Sequence, residues 1–379
     1  MISKPICFIV AIVGACLTVA IEASPADAAP RYVATPLVTP DVYSRGYGIN
    51  AGGQVTGVAM LGHAPHAFIA SQGIVTDLGS LGGTDAGSSG LAINDSGQVT
   101  GSSDIVAGAA PYHAFRYSGG AMADLGTLGG GFSVGYGINA SGQVTGYAST
   151  SGVVPKHAFI HSGGTMHDLG TLGGTNSFGY AINASGQVVG ESDLPGNLAQ
   201  HAVLFSGAAI VDLGTLGGSR GTAFAINATG QVAGSATISG DTAVRAFLHS
   251  GGVIRDLGTL GSKNSYAYAI NGRGQVAGTS DFPGETLGRA FLYTDGLMYD
   301  LNAVVVSGLA GATLIEALGI NDGGQIVANS CVGDGGNVSC RAYRLDLVPA
   351  EVPALSGRAL AATAIVLFVA SLLGRRVTG

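Results

Sequence analysis

The stretch Gly179-Tyr180-Ala181-Ile182-Asn183-Ala184-Ser185-Gly186-Gln187-Val188-Val189-Gly190 decides how this chain folds, because it occurs seven times with small edits. Its Asn recurs at 50, 94, 139, 183, 227, 271 and 321, and its Gln at 54, 98, 143, 187, 231, 275 and 325. Five of the six steps are 44 or 45 residues long and the last is 50. A fixed period of this size marks a repeat architecture, in which each copy buries its apolar face only against its neighbours.

Outward from that stretch, Tyr180-Ala181-Ile182 reads as a strand. Asn183 to Gly186 reads as a type I turn, with Asn at its first place and Gly at its last. Gln187 to Gly190 is the returning strand, Glu191 to Gln200 a variable loop, and His201 to Phe205 a third strand. Ser206-Gly207 turns the chain into a fourth strand, Ala209 to Leu213. Four short strands in about 44 residues fit one blade of a β-propeller. The expectation is an all-β, seven-bladed propeller over residues 31–347, with a linear β-solenoid as the alternative. The fourth strand occurs only six times, with its Asp at 77, 124, 168, 212, 256 and 300, and the last copy stops at Asp346 without one. Tyr32 to Leu37 stands as far before Asn50 as Asp124-Leu125 stands before Asn139. This N-terminal strand is therefore expected to complete the last blade, close the ring and cover an open edge. Pro36 fits there on the free side of an outermost strand.

Gly makes up 65 of 379 residues without a triplet period, which excludes collagen and points to many tight turns. Hydrophobic residues are 46% and charged residues 10%, a balance that argues against general disorder. A net charge of −7 gives no basic patch for nucleic acid. Lys4, the apolar run Ile6 to Ile21 and Ala26-Asp27-Ala28 read as a secretory signal over residues 1–28, cleaved between Ala28 and Ala29. The mature chain then keeps Cys331 and Cys340, a pair expected to form a disulfide in an oxidising compartment, with metal binding as the rival. Residues 348–379 form a tail: a Pro-rich start, the apolar run Ala359 to Leu373, then Arg375-Arg376. That run is a short transmembrane candidate whose Arg pair stays cytoplasmic.

Two resemblances follow. Residues Val352-Pro353-Ala354-Leu355-Ser356, the apolar run and Arg375-Arg376 resemble the PEP-CTERM-like sorting tails processed by exosortase-type enzymes in Gram-negative bacteria. The form is closer to Ile/Val-Pro-x-Leu-Ser than to Pro-Glu-Pro, with Gly357-Arg358 where Trp-Gly is usual. The repeats, through His66-Ala67-Phe68, His113-Ala114-Phe115 and His157-Ala158-Phe159, resemble the extracellular HAF repeat family. Later copies read His201-Ala202-Val203, Arg245-Ala246-Phe247, Arg289-Ala290-Phe291 and Arg341-Ala342-Tyr343. The first resemblance implies an exosortase-type partner, a transient inner-membrane anchor and a cell-surface or extracellular location. The second implies a surface repeat protein without an assigned activity.

Each His or Arg of that motif stands eleven residues before the Asp of the fourth strand, from His66 and Asp77 to Arg289 and Asp300. A two-residue turn at Ser206-Gly207 and its equivalents would put each such pair, and Phe68 and Val75, directly across the strands. Exchange of His for Arg keeps a donor but ruins a general base or a metal ligand, so the series reads as structural. The turn Asn is a conformational need, and its sequons in the third to fifth copies belong to that turn. The Gln is expected to bond backbone. Variable loops are the better functional candidates. Asp104, Glu191, Asp193, Asp241, Asp281 and Glu285, with Tyr112 and Phe282, are expected on one loop face, where they would hold Ca²⁺ or a sugar, or serve as solvated turns. No Gly-x-Ser-x-Gly elbow, His-Glu-x-x-His helix or phosphate loop occurs. The functional expectation is a non-enzymatic surface or matrix protein that binds polysaccharide or a surface protein. A propeller glycan hydrolase or lyase, or a purely structural protein, are the alternatives.

Overall fold

The computed structural model describes residues 29–348 except 40, 108, 335 and 336. The signal residues 1–28 and the tail from 349 onward, with Val352, Pro353, Leu355, Ser356, Arg375 and Arg376, lie outside the described residues. Tyr32 to Leu347 make one compact unit. In its fourth repeat Ser177–Ile182, Val188–Asp193, Gln200–Ser206 and Ala209–Gly214 pair antiparallel in chain order. The same order recurs along the chain, and a single parallel bridge from Gln200 to Arg220 also joins the fourth and fifth repeats. The strands run further than the sequence suggests. Glu191 and Asp193, read as loop residues, belong to the second strand.

The recurring stretch works as a set of local constraints. Asn183 Oδ1 accepts the N–H groups of Ser185 and Gln187 at 3.1 and 3.0 Å, and Gly186 N–H closes the turn on Asn183 O at 3.0 Å. The Gln was expected to bond backbone, but the bonds its amide makes here are to side chains. Its oxygen accepts from its own Asn, and Gln98, Gln143 and Gln275 donate to Ser118, Ser162 and Thr294 at the end of their own third strand. The paired strands bulge between Gly179 and Ala181. A Cβ at Gly190 would lie 1.7 Å from Phe178 O, so only Gly fits opposite the bulge.

Two contacts recur between neighbouring repeats, though not at every junction: Gly221 stands where the fifth repeat would carry the Ser, and the Asn183 amide nitrogen bonds Gln187 of its own repeat. Ser88 Oγ accepts Ala67 N–H at 2.8 Å and donates to Gly79 O at 2.5 Å, and Ser133, Ser177 and Ser265 do the same. The Ala and Phe of the His-Ala-Phe motif are wholly buried, as at Ala67, Phe68, Ala114 and Phe115. The turn Asn supplies the second contact. Asn50 Nδ2 donates to Asn94 O, Asn94 to Asn139, Asn139 to Asn183, Asn227 to Asn271 and Asn271 to Asn321, at 2.9 to 3.1 Å. Asn321 then donates to Asn50 O at 2.9 Å, so the series returns to its start. A linear solenoid would hold those two residues apart. The fold is a β-propeller.

The N-terminal strand Tyr32–Pro36 pairs antiparallel with Asn337–Leu347, from Tyr32 opposite Leu347 to Pro36 opposite Tyr343. The extra residues of the longest step continue this seam. A short helix, Leu301–Val304, is capped by Asp300, and Val305–Ser307 runs parallel to Tyr32 and Val33. This sheet therefore has five strands, and its outer edge is covered at the Tyr32 end while Pro36 stays beyond the cover. Tyr32, Leu301, Val304, Leu314, Tyr343 and Leu345 pack in one core there. Arg45 clamps Glu316 with two bonds of 2.7 Å, and Asn329 exchanges bonds of 2.9 and 3.0 Å with Gly46. Cys331 and Cys340 face each other across the last hairpin, inside its strands, and are joined as a disulfide.

Tyr32 is 1% exposed. Tyr32→Ala is expected to lower the unfolding free energy in urea by about 3–5 kcal/mol, the range for buried aromatic truncations. Ile74→Ala, at an exposed hairpin, should stay within about 0.5 kcal/mol. A loss below about 1 kcal/mol for Tyr32→Ala would mean that the seam lies outside the cooperative fold.

Candidate functional site

The first strands of the repeats surround a central channel. Their last residue is always Ile, from Ile49 to Ile320, and these side chains narrow the channel at mid-depth. On the turn side lies a cavity of ≈ 340 Å³ rimmed by Asn50, Asn94, Asp95, Asn139 and their equivalents. On the other side, where the loops between second and third strands emerge, lies a mouth of ≈ 240 Å³.

The mouth breaks the regularity of the repeat. Three residues before each Asn stand Tyr47, Leu91, Tyr136, Tyr180, Phe224, Tyr268 and Leu318, on the same strand face as the Ile. Tyr136, Tyr180, Phe224 and Tyr268 form a continuous arc with ring centroids 5.1 to 5.3 Å apart. A second tier widens it: Tyr147 meets Phe178 at 5.1 Å, and Tyr112 meets Phe132 at 5.0 Å and Tyr147 through their hydroxyls at 3.1 Å. These tilted and edge contacts are the arrangements aromatic rings prefer. The rest of the mouth is lined by Tyr47, Leu91 and Leu318, and the Arg45–Glu316 pair stands beside the arc, with the Arg45 guanidinium 5.6 Å from the centre of the Tyr47 ring.

Burial governs the ionisable groups of the arc. It pushes the Tyr268 phenol up to about 12 and raises Tyr136. Tyr180 is raised by burial first and by the neighbouring Glu191 carboxyl next. Glu191 is 8% exposed and accepts from Tyr180 Oη at 3.0 Å and Thr222 Oγ1 at 2.6 Å. Burial holds its carboxyl above the usual carboxylate range despite those donors. The arc is thus uncharged at neutral pH along its ring faces, with hydroxyls at its edges.

The loop carboxylates are engaged in the turns and crossings around them. Asp104, Asp193 and Asp281 each accept from the backbone N–H of the crossing segment beside them, Gly87, Asn176 and Asn264 at 3.0 to 3.2 Å. Asp241 accepts from Ser219 N–H at 2.7 Å. Glu285 pairs with Arg289, whose guanidinium also covers the Phe282 ring at 3.7 Å. Glu191 is buried in its strand. These groups tie crossings to their own repeats, and among the described residues no three His, Cys, Asp or Glu side chains are grouped to hold a metal.

The His–Asp ladder forms in a different register from the one anticipated. The hairpin turns on Gln72-Gly73, both with positive φ, so Phe68 faces Asp77 and Val75 faces Ala70. His66 reaches Asp77 diagonally through Nδ1 at 2.9 Å, as His113, His157 and His201 reach Asp124, Asp168 and Asp212 at 2.7 to 2.9 Å. Arg289 bonds Asp300 at 2.7 Å, whereas Arg245 stands 4.0 Å from Asp256. The aromatic arc was not anticipated. The signal available was the contrast between constant Ile and varied Tyr, Phe and Leu two residues earlier.

No family model matches the chain, and no curated protein matches it. Among solved structures, TolB from Acinetobacter baumannii is similar at 12% identity and a TM-score of 0.41, over 70% of this chain and 61% of that one. A gluconolactonase, XC5397 from Xanthomonas campestris, is similar at 10% identity and a TM-score of 0.41, over 85% of this chain and 96% of that one.

His161 and His249 occupy one repeat position, where Tyr117, Phe205 and Tyr293 stand elsewhere, and burial holds both imidazoles below their ordinary value. Above pH ~6.5 they are neutral in folded and unfolded chains alike. Below it the unfolded chain takes up protons that the folded chain refuses, so stability falls as pH falls. His161→Phe with His249→Phe is expected to lose less urea-midpoint stability than the parent between pH 7.5 and 5.5. Parallel pH curves for the two proteins would refute this.

Proposed function

We propose that this chain is an exported, non-enzymatic surface or matrix protein, a seven-bladed propeller of the HAF-repeat kind that binds extracellular material through its aromatic mouth. The observation that carries the reading is the contrast between constant and varied positions within one repeat. Positions that build turns, seams and core recur almost unchanged, while those facing the mouth differ from repeat to repeat. Variation confined to a concavity is the pattern of a site carried on a scaffold. The N-terminal signal and the exosortase-type tail support export, a transient membrane anchor and display at the surface of a Gram-negative cell. Tyr32 and Leu347 pair beside the Asn turns, at the end away from the mouth.

The test is retention of the protein by isolated extracellular polysaccharide and matrix, assayed together with release of soluble sugar. Leu91→Trp, which fills the mouth, is expected to weaken retention about tenfold or more, and Ile74→Ser, on an exposed hairpin at the end away from the mouth, to leave it unchanged. Absence of retention, or retention indifferent to Leu91→Trp, would refute the binding role. Steady release of sugar would replace it with the hydrolase or lyase reading, in which the buried Glu191 carboxyl would be the first candidate acid.

A further inference from the structure

We infer that the aromatic arc is a stacking subsite for neutral pyranose units of a polysaccharide, an inference that rests on the binding role proposed for the mouth. Tyr180, Phe224 and Tyr268 are half-buried and follow one another at 5.3 Å with tilted planes, and Phe178 lies almost parallel to Tyr180 at 11° and 6.4 Å. The result is a curved row of rings, inclined at 49° between Tyr180 and Phe224 and edge to face at 65° between Phe224 and Tyr268. A pyranose presents a flat C–H face to an aromatic ring and directs its hydroxyls outward, where the phenol edges and the Tyr112 and Tyr147 hydroxyls stand. The cavity of ≈ 240 Å³ is smaller than the roughly 300–1,000 Å³ that drug-sized ligands occupy, and suits one or two sugar rings.

Charge selects the class. Arg45, beside the arc, is neutralised by the bidentate Glu316 contact, and the Lys156 ammonium lies 5.0 Å from the centre of the Tyr147 ring. Arg45 is thus engaged by Glu316, Lys156 is held against a ring, and the buried Glu191 carboxyl disfavours an anion. An aliphatic ligand would leave the phenol edges and the Glu191–Tyr180–Thr222 bonds facing hydrocarbon, at a cost in desolvated polar groups. Neutral hexose polymers meet both demands.

The experiment titrates the full chain with neutral oligosaccharides (cellotetraose, maltotetraose and mannotetraose) and with uronate oligomers of equal length, followed by calorimetry and aromatic proton shifts. Phe178→Ser and Phe224→Leu are suitable variants, because the repeat itself carries Ser89 and Leu91 at the same places. Urea midpoints confirm that they fold. The expected result is binding of at least one neutral oligomer, weakened about tenfold or more by each variant, with uronates weaker. Equal or stronger uronate binding, unaffected variants, or no neutral binding would overturn the inference. Matrix retention that remains sensitive to Leu91→Trp alongside such a result would leave the binding role standing and discard only the sugar class. Loss of both would discard both.

Discussion

The amide of the turn Asn is the interaction on which the rest of this structure depends. Its oxygen collects two N–H groups of its own turn, and its nitrogen bonds the Gln of its own repeat and the Asn carbonyl of the next. A buried amide has few sites to satisfy, and here they are divided between making a turn and spacing two sheets. Asp would place an acceptor against a carbonyl, and Ser would be too short. The spacing of the narrow ends is therefore fixed by a hydrogen bond length, and the bond from Asn321 to Asn50 carries that spacing across the point where the chain began.

Fixing one end leaves the opposite end to side-chain volume. Just above the Asn contacts the Ile residues differ little from repeat to repeat, but further along the same strands Tyr, Phe and Leu alternate with Arg, Ser, Thr and Glu. The seam between first and last repeats adds its own asymmetry. It carries an extra helix and strand, the core around Tyr32 and Leu314, and the Arg45–Glu316 clamp, which places a charged pair where other repeats place aromatic or small residues. Closure and the polar sector of the mouth are thus one feature.

Much of this was legible in the sequence. The period, the four strands, the type I turn and the missing strand supplied by Tyr32 to Pro36 all follow from spacing and turn chemistry. Three things did not. The outer hairpin turns one residue later than Ser71-Gln72, because Gln72-Gly73 adopts two positive-φ conformations that match strand twist. Glu191 lies within a strand, since a Glu after Gly190 looks like a loop start until pairing extends the ladder to Asp193. The mouth was missed because alternation shows which residues share a face with the Ile but not that this face lines the axis. Which side chains look inward along the axis is decided by ring closure, a contact between residues some 270 positions apart.

The His–Asp ladder and the aromatic arc illustrate opposite relations between repetition and function. A residue present in repeat after repeat serves what every repeat needs, and the exposed Asp partners of the ladder add little each to stability. Its substitution by Arg at 245 and 289 preserves that service and would abolish acid–base chemistry. A ligand in the axial mouth meets all repeats at once, so a regular lining offers it no preferred orientation. Placing rings on consecutive repeats and a clamped ion pair beside them removes that degeneracy. The arc then has a direction around the axis, and a polymer laid along it meets one ring after another rather than one repeated contact. Selectivity in such a site comes from the order of side chains around the circle. That order is the one property of this chain that its period does not dictate.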